Sequence, residues 1–156
     1  MIKKNFWSFF LILGVFIVDR LSKILIINIV KKNEEAKIFE SSYLNLNLIW
    51  NDGIAFGLFS FDQKIYYNSL TIIIILITLI ILWMITKTKS LEKLGFIMIF
   101  GGSLGNIFDR IYYSSVPDFI DLHINNFHWF IFNAADIFIS LGVILLIILE
   151  IIKKDI

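Results

Sequence analysis

Gly101-Gly102-Ser103-Leu104-Gly105-Asn106-Ile107-Phe108-Asp109-Arg110 lies inside an apolar run that extends roughly from Leu94 to Tyr112. Its first half is crowded with small residues, which let helices approach closely in lipid. A phosphate-cradling loop is a weak reading of the same glycines, because no Walker-type lysine follows and no strand precedes them. Its second half places Asn106, Asp109 and Arg110 in a stretch long enough to cross a bilayer. A charge at mid-bilayer costs about 2.5–3.5 kcal/mol on insertion scales. Asp109 and Arg110 could simply mark the end of a span, with the arginine reaching for the interface. The alternative is a helix that carries polar groups into the membrane for a purpose.

Three further runs flank this one, roughly from Asn5 to Ile29, Tyr67 to Thr86 and Trp129 to Ile152. Each approaches the ~20 apolar residues that a helix needs to cross ~30 Å of hydrocarbon. The whole chain is 58% hydrophobic and only 17% charged, against about 25% charged in soluble domains, and its mean hydropathy is +0.84. Residues 1–156 are therefore read as a single integral membrane domain of the all-α class, a four-transmembrane-helix bundle. The basic, apolar start through Gly14 resembles a signal peptide but lacks a small-residue cleavage site, so it is read as a retained first span. Lysines set the orientation. Lys3, Lys4, Lys87, Lys89, Lys93, Lys153 and Lys154 fall at ends that share one side, which places both termini in the cytoplasm. A net charge of +1 offers no basic field for nucleic acid. The absence of cysteine removes disulfides, thiol nucleophiles and thiolate metal sites.

The long outer loop, roughly Val30 to Tyr66, alternates Leu44, Leu46 and Leu48 with Asn45 and Asn47. That is strand periodicity, and Asn51-Asp52-Gly53 supplies a turn, so a small β element is expected on the outer surface. His123 and His128 are read as interfacial or loop residues, because neither forms a ligand pair with a nearby carboxylate at a familiar spacing. No metal and no cofactor are expected.

The depth of the charges carries the functional argument. At ~1.5 Å per residue, Asp19 lies roughly 20 Å outward from the start of its span, and Asp109 lies at a similar height. The fourth span runs the other way and brings Asp136 to the same level, roughly 10 Å inward from its outer end. Asp118, on the outer loop, can fold down to meet them. Asp19 and Lys23 are four residues apart and can pair on one helix face. Two acids held close in a low dielectric cannot both ionise easily and come to share one proton. Such a pair can activate water and protonate a carbonyl. It can equally bind a divalent cation or relay protons in a transporter, and a non-catalytic scaffold is the blandest reading. Spacing alone does not choose the pair among Asp19, Asp109, Asp118, Asp121 and Asp136.

Five ordered blocks narrow the choice. Asp19-Arg20-Leu21-Ser22-Lys23, Asn51-Asp52-Gly53-Ile54-Ala55-Phe56, Gly101 to Arg110, Val116-Pro117-Asp118-Phe119 and Phe132-Asn133-Ala134-Ala135-Asp136 resemble the conserved blocks of the bacterial lipoprotein signal peptidases (signal peptidase II). The resemblance covers nearly the whole chain. It implies a four-helix membrane bundle with a small extracytoplasmic β-cradle in the bacterial inner membrane. It further implies an aspartic endopeptidase with Asp118 and Asp136 as the catalytic pair. Asn51, Asn106, Arg110 and Asn133 would line the substrate pocket, and Asp19, Lys23 and Asp109 would support the fold. The implied partners are membrane lipid and diacylglyceryl-modified prolipoproteins, cut before the lipidated cysteine by a monomer. Phe130 after Trp129, where the family often has proline, and Ser103 in place of alanine depart from the pattern without touching this chemistry.

Overall fold

The computed structural model describes residues 2–53, 63–89 and 91–154. Ile54-Ala55-Phe56 of the second block and Asp62 of the outer loop lie outside the described residues. The chain is mostly helical, with one small antiparallel sheet. In order it forms α1 (Ile2–Asn33), β1 (Lys37–Glu40), β2 (Leu44–Asn51), α2 (Gln63–Lys87), α3 (Glu92–Tyr112), β3 (Val116–Ile124), β4 (Phe127–Phe132) and α4 (Ala134–Lys154).

Three helices, Ile65–Lys87, Glu92–Tyr112 and Ala134–Lys154, are long and apolar enough to cross a membrane among the described residues. Their outward faces carry Ile72, Ile73, Leu76, Ile80, Trp83, Leu141, Ile144 and Ile148, all exposed, a surface that suits lipid and not water. Threonine hydroxyls on α2 are satisfied within the helix. Thr71 and Thr78 donate to the carbonyls of Tyr67 and Ile74, four residues back, at 2.9 and 2.7 Å, which removes an unpaired donor from the apolar span. α1 is longer, at 32 residues, but carries Asp19, Arg20 and Lys23 in its apolar stretch. It ends where Glu34 adopts a left-handed φ of 57° and its N–H caps the Val30 carbonyl at 2.9 Å.

α3 is the hub, packed against α1, α2 and α4. Gly102 explains the closeness of α3 to α4: a Cβ there would stand 2.6 Å from the Ala135 carbonyl oxygen. A Cβ at Gly105 would overlap the Asp19 carboxylate of α1. The run of small residues thus works as packing, and it lets a charged side chain of one helix lie flat on the backbone of another.

The sheet has the order β1-β2-β3-β4. The expected β element at Leu44 to Trp50 is β2, but three more strands join it. The fourth span was expected from Trp129. Instead residues 129–132 belong to β4, and the helix begins at Ala134. Two causes account for this. Phe127 to Phe132 is rich in aromatics that favour strands. Asn133 and Asp136 then cap each other: the Asn133 N–H donates to Asp136 Oδ2 at 3.1 Å, and the Asp136 N–H donates to Asn133 Oδ1 at 3.3 Å. This reciprocal capping box fixes the helix start. Asp118, expected on a loop, is buried in β3. Ile26 and Ile27 of α1 pack with Leu48 of β2 and Phe119 of β3, anchoring the sheet to the first helix.

Gly102→Ala is expected to lower the thermal midpoint in detergent by an amount equivalent to about 1–3 kcal/mol, because backbone must move to admit the methyl. Gly14→Ala meets nothing within 4 Å and should leave the midpoint unchanged or slightly raised. Equal midpoints for the two variants would contradict the close α3–α4 contact.

Candidate active site

The polar groups of α1 and α3 close into one buried network. Lys23 Nζ lies 2.8 Å from Asp19 Oδ1 and 2.7 Å from Asp109 Oδ2, and it donates to Asn106 Oδ1 at 2.8 Å. Arg20 places Nη1 2.6 Å from Asp109 Oδ1 and Nη2 2.9 Å from Asp19 Oδ2, while its guanidinium stacks 4.9 Å over the Phe108 ring. Asp19, Lys23 and Asp109 are fully buried. The formal charges, two acids against two bases, cancel. The Asp19–Lys23 pair follows from their i,i+4 spacing. Arg20, singled out with Asp19 and Lys23 as a charge inside the first span, had no role of its own in the sequence, and here it pairs with both acids.

The network reaches α4 by two bonds. Asp19 Oδ1 accepts the Ala135 N–H at 3.0 Å, satisfying a free donor of the first helical turn. Asn106, holding Lys23 with its oxygen, donates its Nδ2 to Asp136 Oδ1 at 2.9 Å. Asp136 therefore accepts from α3 on one oxygen and from the Asn133 backbone on the other. Asp19, Asp109 and Asp136 do meet from three helices, as their depths implied.

The sheet supplies the facing acid. Asp118 Oδ1 accepts from Asn133 Nδ2 at 2.6 Å, and Oδ2 accepts from Asn51 Nδ2 at 2.8 Å. Asn51 is held in turn, its Oδ1 accepting the Gly53 N–H at 2.8 Å. Asn133, fully buried, thus touches both acids, Asp118 through its side chain and Asp136 through its backbone. Burial raises Asp118 above the usual carboxylate range. The amides of Asn133 and Asn51 pull it partly back, and the neighbouring charge of Asp136 pushes it up again.

Arg110 takes a different course from the interface-seeking arginine considered above. Its guanidinium lies 5.4 Å from the Tyr67 ring centroid. Its Nε and Nη1 are buried without a hydrogen-bond partner among the described residues. A Cβ at Gly53 would come within 3.1 Å of Nη1, so the fork faces the end of β2 near Asn51.

Asp121 stays apart from this site. It receives Asn45 Nδ2 at 3.4 Å and lies 2.9 Å from His128 Nδ1. The sequence reading found no histidine–carboxylate pair at ligand spacing. The strand pairing supplies one, because His123 and His128 are cross-strand partners in β3 and β4. That proximity depends on a hairpin which linear spacing does not reveal.

A buried carboxylate, Asp118, and a half-buried one, Asp136, are thus bridged by one asparagine where the sheet meets the start of an apolar helix. The chain belongs to the signal peptidase II family: it matches the description "Signal peptidase (SPase) II" over residues 11–152. It is 50% identical over 148 residues to the lipoprotein signal peptidase of Pelagibacter ubique (strain HTCC1062), covering 94% of this chain and 89% of that one. It is 42% identical over 142 residues to the lipoprotein signal peptidase of Wigglesworthia glossinidia brevipalpis, covering 88% and 89%. Among solved structures it resembles a bacterial membrane enzyme determined by the in meso method at 1.9 Å, with a TM-score of 0.70, 30% identity and coverage of 92% and 91%. A second bacterial membrane enzyme structure, at 2.3 Å, gives a TM-score of 0.69 at 29% identity, covering 94% and 88%.

Lys23→Met removes one base from a closed four-charge network and leaves two buried acids with a single partner. Breaking a buried pair in this way costs about 3–5 kcal/mol. Thermal unfolding in detergent should show a large fall in midpoint, and an unchanged midpoint would mean the network is not what holds α1 to α3.

Proposed function

We propose that this protein removes signal peptides from diacylglyceryl-modified prolipoproteins, cleaving before the lipidated cysteine, with Asp118 and Asp136 as the catalytic pair. The observation that carries the reading is the double contact of Asn133, which links the Asp118 carboxylate to the Asp136 carboxylate. The names of the relatives give the substrate class, lipoproteins and their signal peptides.

In this reading the two acids share one proton. The ionised member takes a proton from water as the oxygen attacks the scissile carbonyl carbon, and the neutral member donates its proton to the carbonyl oxygen. Collapse of the tetrahedral species breaks the C–N bond. The proton taken from water passes to the departing amine, and the carbonyl re-forms as a carboxylic acid as its hydroxyl proton returns to the pair. Asn51 and Asn133 hold the acids in place. Arg110, with donors to spare near Asn51, and Asn106 offer hydrogen bonds to substrate carbonyls or the lipid head group.

The membrane arrangement in this reading has four spans, with α1 as the first. Its internal charges are neutralised by α3, which lowers their insertion cost. Lysines at the cytoplasmic ends put both termini inside and the sheet outside, so that a substrate anchored by its own acyl chains approaches from within the bilayer. A monomer contains every residue this scheme uses.

Asp118→Asn and Asp136→Asn should each lower single-turnover cleavage of a lipidated prolipoprotein by about 10²–10⁴-fold, without loss of substrate affinity. The double variant should be scarcely worse, because the two act as a unit. Near wild-type cleavage in either single variant would mean that another carboxylate does the work.

The pH profile gives a separate check. The Asn51 hydrogen bond favours the ionised form of Asp118 and so lowers its pKa. Asn51→Ala should therefore raise it, and the bell-shaped profile of the coupled pair should move toward higher pH. A profile that stays in place or moves down would contradict the assigned contact.

A further inference from the structure

On the β3–β4 hairpin, Asp121, His123 and His128 each offer a ligand atom, and these atoms lie within 4.8 Å of one another. We propose that these three side chains form a binding site for a divalent transition-metal ion of the Zn²⁺ type, separate from the peptidase centre. The donor set of two imidazoles and one carboxylate is a borderline-soft combination suited to zinc and its neighbours. It leaves a fourth position for water.

The geometry is close to what such an ion needs. At ligand distances of about 2.0–2.2 Å, donors around a zinc ion are about 3.4 Å apart for neighbours in a tetrahedron. His128 Nδ1 and Asp121 Oδ2 are already 2.9 Å apart. The His123 and His128 rings are stacked at 4.9 Å between centroids with planes 18° apart. The two rings turn toward each other to bring their donors from within 4.8 Å to that spacing. Two further features point to a ligand. His123 Nδ1 is buried and has no hydrogen-bond partner among the described residues. Asp121 is pre-oriented by Asn45 Nδ2, the kind of outer hydrogen bond that fixes a ligating carboxylate. His128 is half exposed, so an ion can enter from solvent. For Nδ1 of His128 to coordinate, its hydrogen bond to Asp121 gives way and the neutral ring carries its hydrogen on Nε2.

This site is distinct from the acids of the proposed dyad. Four residues of β2, from Leu46 to Ile49, span the same stretch as three of β3, from Ile120 to Asp118. Likewise, four of β4, from Ile131 to His128, face three of β3, from Asp121 to His123. The extra residues thus lie in β2 and β4, and β3 itself is regular. A regular strand alternates its side chains, so Asp121 and His123 share one face and Asp118 lies on the other. An ion joining β3 to β4 would staple the hairpin that carries Asp118 at one end and leads into Asn133 at the other. It would act on rigidity and not on chemistry.

The test uses full-length, tag-free protein in detergent, stripped with chelator. Titration with Co²⁺ should give visible d–d absorption saturating at one ion per chain, with Zn²⁺ displacing it. Zn²⁺ should also raise the thermal midpoint. His123→Gln and His128→Gln keep size and polarity but lose the ligands. Each should weaken Co²⁺ binding by at least tenfold, abolish the Zn²⁺-dependent rise in midpoint and leave metal-free peptidase activity unchanged. Absence of a saturable Co²⁺ signal, or binding that survives in both variants, would overturn the proposal. Because the readouts are spectroscopic and thermal, they stand or fall independently of the assignment of the catalytic pair.

Discussion

Asp19, Arg20, Lys23 and Asp109 lie where apolar helices surround them, and no one of them could be there alone. Each charge carries an insertion cost of about 2.5–3.5 kcal/mol when unpaired near mid-bilayer, and an isolated buried acid or base costs more than its partner can return at poor geometry. The structure meets the constraint by closing the set. Two acids face two bases, and Lys23 uses three contacts at 2.7–2.8 Å, to Asp19, Asp109 and Asn106. That closure fixes how α1 and α3 sit against each other. It also explains why α3 must be small at Gly105, where the Asp19 carboxylate rests on its backbone.

Everything nearer the proposed chemistry is hung on this frame. Asp19 receives the first turn of α4 through Ala135, and Asn106 carries the frame to Asp136. Asn133 then performs three tasks. It caps α4, it orients Asp136 through its own N–H, and it reaches back to Asp118 on β3. The sheet is held from the other direction by Ile26, Ile27, Leu48 and Phe119. Two acids from β3 and α4, with only β4 between them in the chain, are thereby fixed by asparagines, whose amides can donate to a carboxylate without adding charge. The charge of Lys23, one asparagine away from Asp136, pulls Asp118 down, and burial outweighs it.

The helices and the meeting of Asp19, Asp109 and Asp136 were legible in the sequence, because both follow from length, hydropathy and a constant rise per residue. The i,i+4 pairing of Asp19 with Lys23 was legible for the same reason. The sheet was legible only where polar and apolar residues alternate cleanly, in β2. β4 was hidden because Trp129 to Phe132 is apolar without alternation, and such a run adjoining a long apolar helix reads as its first turns. What separates them is the Asn133–Asp136 capping box, a local feature written in four residues. Asp118 was read as a loop residue for want of β3, and the Asp121–His123–His128 cluster was invisible because it exists only through the register of that hairpin. Which acids should form the pair came from the ordered blocks shared with a family and not from any spacing.

In the proposed scheme the buried ion network performs no chemistry itself but positions Asp136 through Asn106. Asn106→Ala cuts that link while leaving all four charges of the network in place. The direct measurement is the single-turnover cleavage rate of a lipidated prolipoprotein at saturating substrate, taken beside the thermal midpoint. The account expects the rate to fall by about 10–100-fold, as small misplacements of a reacting group do, with the midpoint lowered only slightly. A wild-type rate in Asn106→Ala, in a protein whose Lys23→Met variant still unfolds early, would contradict it: the network would then hold the helices together without setting the position of Asp136.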